Sequence, residues 1–195
     1  MNRPPQALPR ETMDRVRSRD PEALNAFFEG YFDRAYALIH RLVQNRAEAE
    51  DLTQQAFLKI HRAVHTLDPD RDPTSWVFAV VANTVRDYWR SRTFKQTRLH
   101  RTAERETLPD PGTAEDDQQA RDTARVLDEA LAGLSEKLRT IVLLRDFENL
   151  SYAEVAGILG IAETAARKRH SRALSELKGA LERANGSGWE KQRKA

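Results

Sequence analysis

The sequence predicts an all-α protein: two small helical domains joined by a flexible linker, the C-terminal one containing a helix-turn-helix. Three observations predict it. Apolar residues recur at spacings of three and four from Pro21 to about Tyr88 and again from Thr123 to Leu181, the period of amphipathic helix, and no stretch suggests a strand. Between these stretches, residues 93–122 hold few large apolar side chains, contain Pro109, Pro111 and Gly112, and change charge sign midway, which marks a linker. Finally, Leu150 to Leu174 reads as two short helices around a glycine, the second of them basic.

Residues 1–19 are polar, charged and broken by Pro4, Pro5 and Pro9, and are expected to form a flexible arm. Asp20 followed by Pro21 is a helix start, an N-cap and then the first helical position. The helix it opens carries Ala23, Leu24, Phe27, Phe28, Tyr31, Phe32, Ala35, Leu38, Ile39, Leu42 and Val43. A second helix from Ala49 to Leu67 carries Leu52, Ala56, Phe57, Ile60 and Val64, and Asp68-Pro-Asp-Arg-Asp-Pro73 breaks it. A third begins near Thr74 or Ser75 and runs through Trp76, expected in the core, to the basic Arg90-Ser-Arg92, completing a domain over 20–92. The second domain, 123–182, opens with Val126, Leu127, Ala130, Leu131 and Leu134 on one face. Ser135 is then placed to cap a helix that ends near Phe147-Glu-Asn149. Asn185-Gly-Ser-Gly188 is expected to stop the last helix and leave a charged tail over 183–195.

At 195 residues and 39% hydrophobic content the chain fits two units of under about a hundred residues each. Net charge is only +2, from 32 basic and 30 acidic residues, so attraction to nucleic acid has to come from uneven placement. Arg86 to Arg105 is basic, Glu104 to Asp122 mostly acidic, and Arg167 to Lys178 basic again. With no cysteine there is no disulfide, thiolate zinc site or cysteine nucleophile. No apolar run approaches the roughly 20 residues needed to span a bilayer, and the start of the chain has no signal-peptide core, so the expectation is a cytoplasmic protein without membrane insertion.

The helix-turn-helix is the most informative segment. Ser151 and Glu154 make a capping box, Gly160 supplies the turn, Ile161 plugs the angle, and small Ala153 and Ala156 allow close approach. Arg167, Lys168, Arg169 and Arg172 give the second helix donors for phosphates and base edges, pointing to duplex DNA. Other constellations fail on their spacing. His61 and His65 stand four apart, but Arg62 occupies the place of a metalloprotease glutamate and no third ligand is evident. Asp68, Asp70 and Asp72 begin like a calcium loop, yet Pro73 and Ala79 stand where its glycine and final glutamate belong. No metal, cofactor or catalytic set is expected, and the protein is not read as an enzyme.

Three segments carry a family resemblance: Ala49-Glu-Asp-Leu-Thr-Gln-Gln-Ala-Phe-Leu-Lys59, Trp76-Val-Phe-Ala-Val-Val-Ala-Asn83 through Asp87-Tyr-Trp-Arg90, and Leu134-Ser-Glu-Lys-Leu-Arg through Ser151-Tyr-Ala-Glu154. In this order and spacing they resemble the sigma-70 family of bacterial transcription initiation factors, in its small extracytoplasmic-function (ECF) type. The resemblance covers roughly residues 21–92 and 123–182. It implies a protein that binds core RNA polymerase through the beta-prime clamp helices and the beta flap, and directs initiation at promoter DNA. An anti-sigma factor is a further implied partner. A stand-alone helix-turn-helix regulator is the alternative, but leaves the first domain without a purpose.

By position, the resemblance implies that Glu50, Asp51, Gln54 and Gln55 bind polymerase, although periodicity alone allows a solvated polar face and Gln55 stands where the family usually has glutamate. It implies that Asn83 and Asp87 read bases of the melted minus-10 element beside a pocket in the Thr66 to Ser75 loop, with Arg86, Arg90 and Arg92 on the backbone. Tyr88 and Trp89 are read either as base-stacking platforms or as core. For the minus-35 element, Arg167 and Lys168 are the base-edge candidates and Arg169, Ser171 and Arg172 the phosphate contacts. The recognition helix departs from the family pattern. Ala166 and His170 replace apolar packing positions, and Ala162 stands where a serine cap is common, a loss of about 1 kcal/mol if nothing else caps the helix. His170 is read as a buried, satisfied histidine or as a phosphate contact. The acidic linker residues Asp110, Glu115, Asp116 and Asp117 are expected to run through the polymerase's basic RNA exit path, as the family's linker does.

Overall fold

The computed structural model describes residues 9–96 and 118–192, with side chains over 9–91 and 123–184. The chain divides into two compact units, Met1–Glu106 and Thr107–Ala195, and the described residues contain helices and no strand. The acidic linker residues named above lie outside the described residues.

The first unit holds α1 (Arg10–Arg17), α2 (Pro21–Val43), α3 (Arg46–Ala63), a 3-10 turn over Val64–Thr66, and α4 (Thr74–Gln96). Asp20 caps α2, accepting the Ala23 N–H at 3.0 Å, with Pro21 in the first turn. That N–H, with Arg15 beside it, holds the Asp20 carboxyl below the ordinary carboxylate range. The cap therefore stabilises the unit above the ordinary carboxylate pKa and is lost as pH falls through the lowered value. Asn45 caps α3 in the same way, through the Glu48 N–H at 2.9 Å. Phe27, Leu38 and Ile39 of α2, Leu52, Ala56 and Ile60 of α3, and Val77, Phe78, Val81 and Val85 of α4 form the core.

Residues 10–17, expected within a flexible arm, are instead helix α1, which buries Met13 and Val16 against α2 and the 3-10 turn. Eight residues do not sustain a helix alone, and two apolar side chains one turn apart are easily lost among charges. Their burial against a surface already made by α2 holds the helix in place. Trp76 is half-buried rather than core, because the adjacent Val77 and Phe78 occupy the inward face. Asp72 accepts the Thr74 N–H at 2.7 Å and Asp68 that of Asp70 at 3.0 Å, so two of the loop's aspartates serve as turn acceptors.

The second unit holds α5 (Gln118–Gly133), α6 (Glu136–Val142) with a π turn over Leu143–Phe147, α7 (Tyr152–Leu159) and α8 (Glu163–Gln192). Leu131, Leu134, Leu138, Ile141, Leu143, Leu144, Val155, Ile158, Ala166 and Ala173 close its core. Ser135 occupies the N-cap of α6, but its side chain makes no capping bond. The sequence also misplaces the end of α8, whose backbone stays helical through residues 185–188. Glycine lowers helix stability by about 1 kcal/mol relative to alanine without forbidding the conformation.

Candidate nucleic-acid interface

The turn between α7 and α8 is built from local chemistry. Ser151 and Glu154 form the full capping box, and Gly160 takes a left-handed conformation at φ 65°. Gly160→Ala has room for its methyl group but forces alanine into that region, so it should lower the unit's stability by about 1 kcal/mol, read from chemical denaturation. Ala156 is buried as expected of a contact between helices, whereas Ala153 is exposed; Ala166 of α8 is fully buried and supplies a second small position.

On α8, Ala166, His170, Ala173 and Leu177 turn inward, which leaves Arg167, Lys168, Ser171 and Arg172 exposed and Arg169 half-buried. The Arg167 guanidinium pairs with Glu163 at 2.6 Å and lies 4.4 Å from the centroid of the Tyr152 ring. Arg172 pairs with Glu176 at 3.0 Å. Such exposed pairs are weak and exchange readily for phosphates. His170, left open between two readings by the sequence, is buried and uses both ring nitrogens, toward Tyr152 at 2.8 Å and Asp146 at 2.7 Å.

On α4, Asn83, Asp87 and Arg90 are exposed and Arg86 half-buried, at helical spacings of three and four. Arg86 donates to the Asn83 side-chain carbonyl at 2.9 Å, and Asp87 pairs with Lys59 of α3 at 3.3 Å. Trp89 is half-buried, and Tyr88, also half-buried, donates its hydroxyl to Glu48 of α3. The side chain of Arg92 lies outside the described residues.

On α3, Glu50, Asp51, Gln54 and Gln55 are all exposed, Glu50 pairing with Arg46 at 2.9 Å. Leu58 continues the line of Asp51, Gln54 and Gln55 one turn on and is 57% exposed. It falls outside the buried stripe of its helix, the one signal by which the sequence marks it. Asp146 and Tyr152, the partners of His170, carry no such signal.

Comparison with known proteins decides the family. Residues 27–95 match the model for Sigma-70 region 2 and residues 124–177 that for Sigma-70, region 4. The chain is 32% identical over 173 residues to the RNA polymerase sigma factor CarQ of Myxococcus xanthus, covering 87% of this chain and 97% of that one. The chain belongs to the sigma-70 family. Its ECF character follows from further relatives, among them the ECF RNA polymerase sigma factor SigF of Caulobacter vibrioides, 33% identical over 156 residues, 78% of this chain and 81% of that one. The fold agrees with two solved structures, each 20% identical. One is RpoE of Bartonella quintana, solved with the anti-sigma factor NepR, at a TM-score of 0.72 over 83% of this chain and 98% of that one. The other is CnrH, solved with the cytosolic domain of CnrY, at 0.64 over 89% and 96%. This sigma factor accordingly associates with RNA polymerase and gives initiation its promoter specificity. Among the described residues no helix is long and apolar enough to cross a membrane.

Proposed function

We propose that this ECF sigma factor divides promoter recognition between its two units, and that the exposure of Glu50, Asp51, Gln54 and Gln55 on α3, of Asn83, Asp87 and Arg90 on α4, and of Arg167, Lys168, Ser171 and Arg172 on α8 is the observation that carries the reading. Residues 123–182 form the minus-35 reader. Arg167 and Lys168 face base edges in the major groove, while Arg169, Ser171 and Arg172 hold phosphates. Residues 20–92 bind polymerase through Glu50, Asp51, Gln54, Gln55 and Leu58 and capture the melted minus-10 strand with Asn83, Arg86, Asp87, Arg90 and Arg92. The half-buried Trp89 offers a stacking edge. The factor itself catalyses nothing. Its contribution is binding energy directed to promoter position and strand opening, in the cytoplasm where the polymerase works.

The test is transcription by purified core polymerase, with and without this chain, on a pool of promoter fragments. Discrete new starts sharing two spaced upstream elements are expected; duplex binding without new starts would instead favour a stand-alone regulator. Arg172→Ala, removing one phosphate contact, should lower the slope of log affinity against log salt by about one and weaken all sequences alike. A sequence-selective loss would move Arg172 to the base-reading set. The anti-sigma partner is proposed on the exposed apolar residues Phe32, 47% exposed, and Leu58, beside the solved pairings of the two structural neighbours. Such a partner should compete with core polymerase for this sigma factor, and its failure to compete would remove the proposal.

A further inference from the structure

Four side chains from three elements meet at the base of the recognition helix: Asp146 of the π turn, Tyr152 of α7, and Arg167 and His170 of α8. His170 is 6% exposed, with Nε2 2.7 Å from Asp146 Oδ2 and Nδ1 2.8 Å from the Tyr152 hydroxyl. The Tyr152 ring in turn meets two guanidinium groups, Arg167 at 4.4 Å and Arg145 at 5.0 Å from its centroid. A cation over an aromatic face gains from the ring quadrupole only while the ring keeps its orientation. Here the orientation is fixed from the far end of the ring, because the hydroxyl is bonded to a buried imidazole that Asp146 holds in its turn. The hydroxyl both donates and accepts, so it satisfies Nδ1 in either protonation state of the imidazole. Arg167 thus lies against the ring, while its exposed pair with Glu163 at 2.6 Å adds little and exchanges readily. An apolar side chain at position 170 would fill the space and hold neither Tyr152 nor Asp146.

We propose that His170 is a positioning residue for upstream-element recognition: it holds Tyr152, Tyr152 carries Arg167, and this sets which base edge Arg167 reads. The inference rests on the assignment of Arg167 to base edges. A residue buried under the reading face thereby determines specificity without touching DNA.

The experiment uses holoenzyme reconstituted with the full chain, on promoter fragments randomised over the upstream element, with transcript sequencing to give base preference at each position. Arg167→Ala identifies the position that Arg167 reads. Two variants then break the Tyr152–His170 link from its two ends: His170→Leu keeps the buried volume, and Tyr152→Phe removes one oxygen and keeps the ring. Both are expected to reduce preference at that same position by about 3- to 10-fold, and the double variant to go no further, as coupled members of one network do. Preferences at other positions should stay near the parent's, while thermal melts of both variants record the cost of leaving the buried imidazole or the hydroxyl without its partner. If Arg167→Ala flattens a position while either His170→Leu or Tyr152→Phe keeps full preference there, the positioning role is overturned and the base-reading role of Arg167 stands. If Arg167→Ala flattens no position, both fall.

Discussion

Replacing Arg139 with alanine should unfold the C-terminal unit well below the parent's melting temperature. Arg139 is 5% exposed and lies on α6, yet its bonds go back to the end of α5 and the turn beyond. Nε donates to the Leu131 carbonyl at 2.9 Å, and Nη2 to those of Ala132 at 2.8 Å and Leu134 at 2.9 Å. The last carbonyls of a helix have no partner within it, and a cation at that end also meets the negative pole of the helix dipole. Hydrogen bonds to a charged group are worth about 1.5–3 kcal/mol each and do not add fully, so a loss of about 3–5 kcal/mol is expected. For a unit of this size each kcal/mol moves Tm by roughly 4–8 °C, so the drop should exceed about 10 °C. Arg139→Met, which keeps the apolar stem and removes the donors, separates capping from packing. Thermal melts of the full chain check both variants, and a methionine variant that melts with the parent would show that packing of the stem suffices.

The second large effect is expected on polymerase binding. Leu58→Asp and Asp51→Arg each change one residue of the exposed α3 face and leave its buried stripe intact. Each should weaken association with core polymerase by about 10- to 100-fold, the range of a central interface residue losing its partner, with little change in Tm. Titration of labelled sigma factor with core enzyme measures this, and unchanged affinity in both would place the docking surface elsewhere on the unit. The matched design matters because an equal loss of Tm would reduce the effect to unfolding.

The helices were legible because their signals are local. Asp20 before Pro21, Ser151 with Glu154, and Gly160 act within one turn of the backbone, and each performs the role its residue type suggests. The outward faces of α4 and α8 were legible for a related reason. Once Val81 and Val85 or Ala166 and Ala173 are committed inward, the helical period leaves Asn83 and Asp87, or Arg167 and Lys168, outside. Signals of this kind failed where they were weak rather than absent: Met13 and Val16 are too sparse to mark α1, and a glycine in α8 disfavours helix without ending it.

Periodicity, capping and motif order are properties of neighbouring residues, and from them follow the all-helical class, the turn before the recognition helix, and the family. Tertiary structure alone decided which charges serve the fold and which face outward. Arg139 and Arg172 are the same residue type in helical segments, yet one is buried against the carbonyls of another helix and the other is exposed beside Glu176. His170 became a bonded link in the interior because Asp146, 24 residues away, and Tyr152, 18 away, are brought to its two nitrogens. Burial and partner choice depend on which helices pack together, and that is set by contacts distant in the chain, where a one-dimensional pattern carries no record of what stands opposite.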